Sequence, residues 1–528
     1  MTKTNKGYII VTMNRIKIFL KRAGAVVLTA ALAAAILGGC SGKKAQGNET
    51  KELTLFSVTY YTPYSPDLPI WKEAEKRTGI RLTNTVADSV TNEEAAFGTM
   101  LISKMRPDIV LSGNASLRSM ALKGGLVALD EYMDEYAPNL KAFFEACPLA
   151  RATATAEDGH IYFVPGTTTD LNRPNTPSTG FFIRTDWLNK LHLKTPETIE
   201  ELHDVLLAFK TQDPNGNGKA DEVPYFCRDK NLSGLLNLFC TATGYIEKNG
   251  SVVYGPAQEN YRLAIKTLSA WYKEGLIDSE IYTRVSAREQ LLSRNLGGCT
   301  SDWFSSTAKF NESYSGVTED FRLAPMLPPK NVEGRVTWPE TRGVLHGRGW
   351  GISTDCDAEK IIDAVKYLDF WMSSEGCELM AYGVEGVSYT RDENGGIIWS
   401  QTASEYPDGI PNYRRYIGFI ETGTVGSIEA EKAGMNPIAL EGYEMYEKIV
   451  SNRLISGLPY NEEEQRTDDK LGESIRNYMN EMQKRWILGI GDVESEWDAY
   501  IDNLNRMGLG ELNAINEAAY ARIKDYLN

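Results

Sequence analysis

Between Asp213 and Glu222 the chain reads DPNGNGKADE, a run that places side-chain oxygens at Asp213, Asn215, Asn217 and Asp221. These are positions 1, 3, 5 and 9 of a calcium loop, with Gly218 at position 6, where the backbone must turn sharply. A hard cation such as Ca²⁺ takes six to eight oxygens at about 2.3–2.6 Å, and alternate side chains on a tight loop point inward together. Lys219, at position 7, would add its carbonyl. Position 12 is Pro224, so the bidentate glutamate of a sensor loop is missing, and Glu222 would have to close the shell. The competing reading is a polar loop of Asx turns with no metal. If calcium binds, the site is expected to be structural, because the loop follows a helical pattern and has no partner loop of the kind that switching pairs use.

A second group of residues suits a hydroxyl-rich solute, which needs aromatic platforms beside planar polar side chains. The candidates are Tyr60 and Tyr61, Trp303 in GGCTSDWF, Tyr382 in the YGVEG turn, and Tyr389, with Asn114, Asp302 and Glu385 as polar neighbours. For any one aromatic residue the competing fate is core packing, and Trp350, inside a strand pattern, is assigned to the core. Hydrolase machinery is sparse. The four histidines form no HExxH, and no GxSxG occurs. A glycoside hydrolase, which needs only two carboxylates, stays open as an alternative, but the chain is not expected to be an enzyme. The six cysteines after Cys40 form no CxxC pair and allow 15 pairings, among which the sequence does not choose.

Positioning these residues requires a sheet. LTLFSV from Leu53, the stretch Ile80 to Val86, and PDIVLSG around Ile109 read as strands, with helices from Ile70 to Lys76 and from Glu93 to Lys104 between them. Strand–helix alternation is the order of an α/β sheet, whose ligands lie beyond the carboxyl ends of the strands, here near Tyr60, Tyr61 and Asn114. Phe181 to Ile183 starts another strand. Thr198 and Glu201 have capping-box spacing ahead of a helix that runs to about Lys210. Ala358 to Met372 is an amphipathic helix, and the last 60 residues are helical by periodicity.

Residues 23–37 (AGAVVLTAALAAAIL) form an apolar run behind Arg15, Lys17, Lys21 and Arg22, the charge-then-apolar order of an export signal. The run is shorter than the roughly 20 residues of a membrane span. It ends at Leu37-Gly38-Gly39-Cys40, which resembles the lipobox of bacterial lipoproteins; that resemblance makes residues 1–39 a signal peptide and Cys40 the lipidated new amino terminus. Met13 opens a second, more typical signal, so the start is Met1 or Met13. Residues 40–51 carry the lipid and a flexible polar tether. Residues 1–39 contain six cationic groups and no acid, so the remainder holds 50 positive against 71 negative groups, a net charge of −21. Such a surface repels phosphate backbones and anionic headgroups, so no nucleic-acid partner is expected and peripheral lipid binding is disfavoured as a main function.

Several segments together resemble the extracellular solute-binding proteins of ABC importers, in particular the large lipoproteins that include alginate-binding proteins. These are GLVALDEYMDEYAPNL (125–140), DGHIYFVPG (158–166), RTDWLNKLHLKTPETIEEL (184–202), MAYGVEGVSYT (380–390) and EWDAYIDNLNRMGLGELNAINEAAY (496–520). In the third, His192 stands where the family pattern has glycine. The resemblance implies a two-lobed, type II periplasmic-binding-protein-like α/β fold with a ligand cleft between the lobes. By analogy one lobe takes 51–166 plus 330–384 and the other 167–329 plus 385–528. It also implies calcium at Asp213, Asn215, Asn217, Lys219, Asp221 and Glu222, and a cleft role for Trp303. The implied function is a monomeric, lipid-anchored receptor on the outer face of the bacterial membrane that delivers an oligosaccharide to an ABC permease. A sensor or peptide-binding lipoprotein on the same fold is the alternative.

Overall fold

The computed structural model describes residues 50–527 apart from 59–61, 104, 169, 172–175, 229–231, 319, 341–342, 408, 421–422 and 454–456. The signal and tether expected over 1–49, with Cys40, lie outside the described residues, as do Tyr60 and Tyr61.

Twelve strands carry the argument: β1 Lys51–Phe56, β2 Ile80–Asn84, β3 Ile109–Gly113, β4 Phe163–Thr167, β5 Thr179–Arg184, β6 Val223–Tyr225, β7 Tyr245–Lys248, β8 Ser251–Tyr254, β9 Gly297–Trp303, β10 Leu323–Met326, β11 Trp338–Glu340 and β12 Leu345–Ile352. Nine of them form two sheets, one in the order β2-β1-β3-β12-β4 and one in the order β10-β5-β9-β6, while β7 pairs with β8 and β11 lies outside both. In the first, β1 runs parallel to β2 and β3, while β12, returning from far along the chain, enters antiparallel between β3 and β4. Leu53, Leu55 and Phe56 of β1 and Ile109–Leu111 of β3 are buried, as suits interior strands, while Thr54 bonds to Asp108.

Each sheet has its own core. Leu53, Leu55, Ile109, Val110, Trp71, Trp350 and Trp371 belong to one. Phe181, Phe182, Trp187, Phe209, Trp338, Tyr446 and Trp486 belong to the other. Trp350, 1% exposed, is a core residue as its strand pattern implies. Core membership changes between Trp338 and Trp350, between Ile417 and Ile428, and once more between Leu512 and Ile523, whereas the expected breaks lie at 330 and 385 with no later return. The physical reason is that β11 packs its tryptophan on Phe181 and Tyr446 of the second core, while Ala403, Tyr413 and Ile417 return to the first.

Among the described residues, the passages near 168, 344 and 424 between the two bodies lie side by side. Thr168 N donates to Val344 O at 2.9 Å, Thr167 N to Thr424 O at 3.0 Å, and Gly426 N to Thr167 Oγ1 at 2.9 Å. A Cβ at Gly426 would meet the Thr168 carbonyl at 2.7 Å, so only glycine allows so close an approach.

Several local expectations hold in detail. The helix Ile199–Thr211 starts at Thr198, whose Oγ1 accepts from Glu201 N at 3.1 Å; Glu201 reaches back one residue further than a strict box, to Glu197 N at 2.7 Å. His192 has φ +56°, which explains why a glycine suits that position. The helix at Glu93 stops at Leu101 rather than Lys104, because Ile102 and Ser103 turn toward β3. Strand β1 already includes Lys51, so the tether ends one residue earlier than expected.

Candidate functional site

Both sheets direct one end toward the connecting passages. In the first, that end holds the carboxyl termini of β1, β3 and β4 and the start of β12; in the second, the start of β5 and the carboxyl termini of β6 and β9. Because Thr179 pairs with Trp303 and Gly180 with Asp302, the GGCTSDWF segment is delivered to this end. Trp303 closes β9 with 41% of its surface exposed, unusual for an indole in a protein with a large buried aromatic core.

Behind it, Asp302 is 4% exposed. Its Oδ1 accepts from Trp303 N at 2.7 Å, its Oδ2 lies 3.0 Å from Arg288 Nη1, and Arg228 approaches at 3.8 Å. Burial outweighs the attraction of these guanidiniums and holds the carboxyl above its usual range. Asp302 therefore acts as the strut that fixes the end of β9 under Trp303. Sequence reasoning misses Arg288 and Arg228, which reach the site from other elements and carry no local motif.

Across the connection, Asn114 begins the helix after β3. Its Nδ2 donates to His346 O at 2.9 Å, stapling that helix to β12, and its Oδ1 has no donor. Beside it Arg348 binds Glu93 at 3.1 Å and the Val58 carbonyl at 3.1 Å, while Ser112 Oγ donates to Glu93 at 2.8 Å. This polar cluster, also invisible as a motif, finishes the end of the first sheet.

The remaining candidates divide. Tyr382 is half-buried, its ring 5.7 Å from Tyr389 and 5.8 Å from Trp399, with its hydroxyl 3.4 Å from Ser427 Oγ. Tyr389 is 2% exposed and gives its hydroxyl to Glu378, so it supports its turn and presents no free face. Glu385 is exposed, 3.8 Å from Arg391. The structure thus brings Trp303 and Asp302 together at the end of one sheet and places Asn114 at the end of the other, with Tyr382 beside Ser427 and Tyr389 withdrawn into the interior.

The loop at Asp213 is already curled as its spacing implies. Asp213 Oδ1 and Oδ2 accept from Asn217 N and Gly218 N, each at 3.0 Å; Asn215 Oδ1 accepts from Asn217 N at 2.9 Å and Asn217 Oδ1 from Lys219 N at 2.8 Å. Asn215 and Asn217 amides converge on Asp221 Oδ1 at 3.3 and 3.0 Å, and these hydrogen bonds hold its carboxyl below the usual range. Gly218, at φ +72°, makes the turn. Glu222 behaves differently. It is 7% exposed, and neither carboxylate oxygen has a hydrogen bond of good geometry. Burial, with repulsion from Asp213 and Asp221, pushes its carboxyl up despite a weak pull from backbone amides. Among the described residues no three His, Cys, Asp or Glu side chains converge as a ready-made metal cage. A shell here would draw instead on Asp213, Asp221, two side-chain amides and a carbonyl, and the orphaned oxygens of Glu222 fit such a shell.

The model for the family described as bacterial extracellular solute-binding protein matches residues 61–376. A fructooligosaccharide ABC transporter substrate-binding protein of Streptococcus pneumoniae is 25% identical over 568 residues, spanning 94% of this chain and 97% of that protein. A structure of that protein's EF-hand mutant in complex with fructo-nystose superposes with a TM-score of 0.70 at 20% identity, covering 90% of this chain and all of the other. The alginate-binding protein AlgQ2, solved without calcium ion, superposes with a TM-score of 0.75 at 31% identity, covering 90% of this chain and 98% of its own. Lipoprotein LipO of Bacillus subtilis is 30% identical over 271 residues, 49% of this chain and 51% of LipO.

Proposed function

Because the chain belongs to the bacterial extracellular solute-binding protein family, we propose that it captures an oligosaccharide between its two α/β bodies and delivers it to an ABC permease. The observation that carries this reading is the half-exposed indole of Trp303, fixed by Asp302 at the sheet end nearer the connecting passages, while the polar cluster of Asn114, Glu93 and Arg348 finishes the corresponding end of the other sheet. An indole face suits the CH face of a sugar ring, and planar polar groups opposite suit its hydroxyls. The fructooligosaccharide-binding relative supports the solute class. The bodies, divided near 168, 342 and 424, close on the ligand about the three connecting passages, and the receptor acts as a monomer.

The loop from Asp213 to Glu222 holds Ca²⁺ through Asp213, Asn215, Asn217, the Lys219 carbonyl, Asp221 and Glu222. Support comes from the orphaned Glu222 carboxylate and from the EF-hand of the pneumococcal relative. Bound there, the ion supplies structural charge compensation and no chemistry. Cys40 carries the lipid, a reading supported by LipO.

Calorimetric titration with fructooligosaccharides and with uronic-acid oligosaccharides tests the main proposal. Saturable, uncleaved binding of one class is the expected result; cleavage of the glycan, or binding of peptides alone, counts against it.

A further inference from the structure

The helix Thr185–Lys190 ends beside the loop that starts at Asp213, and its last side chain crosses to that loop. Lys190 is an exposed residue, yet its ammonium is engaged: Nζ donates to Pro214 O at 2.7 Å and reaches Asp213 O at 3.5 Å. The loop makes room for it. A Cβ at Gly216 would meet Nζ at 2.7 Å, and Gly216 turns at φ +74°. Asp213 sits at φ +47°, a left-handed conformation that a residue with a Cβ keeps only where its surroundings hold it. Its carbonyl also accepts from Gly216 N at 3.1 Å. The spacing of a calcium loop asks for no lysine at this distance along the chain, so nothing in the sequence marks Lys190 for the site.

The carbonyl that Lys190 holds most closely belongs to the Pro214–Asn215 peptide. In a trans unit the C=O and the N–H point in opposite directions, so an ammonium bonded on one side fixes where the N–H points on the other. That N–H, of Asn215, is one of the two backbone amides that face the Glu222 carboxylate. Through one peptide unit, Lys190 thus reaches the buried carboxylate whose oxygens have no hydrogen bond of good geometry. Charge alone argues the other way, since a positive group beside a cation site repels the ion. Water and salt around an exposed ammonium screen that repulsion, whereas the hydrogen bond that orients the peptide is short and direct.

Resting on the reading that this loop holds Ca²⁺, we propose that Lys190 is a positioning residue for the site: from outside the shell it holds the Asp213 and Pro214 carbonyls away from the ion and so presets Asp213, Asn215 and Glu222 to receive it. Groups that orient metal ligands from outside the shell typically carry about 10–100-fold in affinity. The two explanations of a lysine at this place therefore differ in sign. A positioning residue strengthens calcium binding, and a mere neighbouring charge weakens it.

The test titrates Ca²⁺ alone, by calorimetry, into the chelator-stripped full chain. Lys190→Met keeps the stem and drops the ammonium; it should bind Ca²⁺ about 10–100-fold more weakly, with a melting temperature in chelator close to that of wild type. Lys190→Arg should recover part of the affinity. Arg294→Met serves as the charge control, because Arg294 acts on Asp221 through its charge, and its loss should tighten binding slightly. Wild type that takes up no Ca²⁺ overturns the calcium reading and this proposal with it. Wild type that binds while Lys190→Met binds equally well or more tightly overturns the proposal alone. So does a loss of melting temperature in chelator as large as the loss in calcium, which would make the lysine a general strut, and so does an equal weakening in Arg294→Met.

Discussion

Glu222 and Asp302 are both carboxylates withdrawn from water, 7% and 4% exposed, yet their surroundings are opposite. Asp302 lies 3.0 Å from Arg288 and accepts a backbone N–H, so the protein itself answers part of its charge, although burial still raises its carboxyl and Oδ2 has no well-aligned donor. Glu222 has Asp213 and Asp221 as charged neighbours and no good hydrogen bond. A buried charge that the fold does not compensate points to something brought from outside, whereas a compensated one is a strut. On the proposed reading the first would belong to a cation site and the second to a scaffold beneath the cleft, and sequence alone nominates both as site residues.

The largest effect that separates them is stability. Asp302→Asn removes the buried carboxylate partner of Arg288, leaving it the Ser306 and Thr307 hydroxyls and the half-exposed Glu289 at 3.8 Å, and should cost about 3 kcal/mol in denaturant unfolding. Adding Arg288→Met should recover most of that loss. The carboxyl of Asp302 is held above the unfolded value of about 3.9. The folded state therefore binds this proton first on acidification. Wild type should gain stability relative to Asp302→Asn as pH falls through the raised value, levelling below the unfolded one. A pH-independent difference between the two proteins would show that Asp302 is not the compensated, desolvated partner.

Next in size is calcium. Binding only to the folded form adds about 2.7 kcal/mol at a hundredfold excess over the dissociation constant, so calcium should raise the melting temperature by several degrees and chelator should remove the gain. Glu222→Gln should lose the response and, in chelator, be at least as stable as wild type, because an uncompensated charge is gone. If Glu222→Gln proves much less stable than wild type in chelator, Glu222 is a strut like Asp302 and the comparison fails. Smaller again is Trp303→Ala, expected to weaken oligosaccharide binding at least tenfold, about 1.4 kcal/mol, with the calcium response intact. Unchanged affinity in a folded variant would shift the platform to Tyr382.

The two regions also differ in how far the sequence reveals them. All six proposed ligands of the calcium loop lie within ten consecutive residues, and local turn geometry alone brings them together, so the spacing is legible. The cleft end is assembled by pairings such as Gly180 with Asp302, and its essential partner Arg288 comes from a separate helix. No spacing rule encodes that convergence. Helices with strong periodicity, such as Ala358–Met372, are legible to the residue. The placement of β12 between β3 and β4 is not, because a long-range strand leaves no trace of its neighbours in its own composition. Tyr389 shows the same limit in miniature: its type suits a sugar, and only the fold shows that Glu378 takes its hydroxyl and packing covers its ring.

A third carboxylate sharpens the contrast from the weak side. Asp355 is paired with Arg106 at 2.7 Å, but the two side chains keep 28% and 21% of their surface in water. The Arg106 guanidinium pulls its carboxyl down to about 2. Taken at face value that shift implies more than 2 kcal/mol, yet water and salt screen a partly exposed pair, and its measured worth should stay below about 1 kcal/mol. The sign is the reverse of Asp302. The pair's contribution is complete above the unfolded value of about 3.9 and fades as pH falls toward about 2. Asp355→Asn should therefore lower stability slightly at neutral pH, differ less from wild type as acid is added, and lose part of its cost at high salt. Chemical denaturation at pH 7 and pH 3, each at low and high salt, reads all three trends. A loss comparable to Asp302→Asn would mean that compensation at the surface matters as much as in the interior, and burial would no longer be what distinguishes Glu222 as a cation site from an ordinary acidic residue.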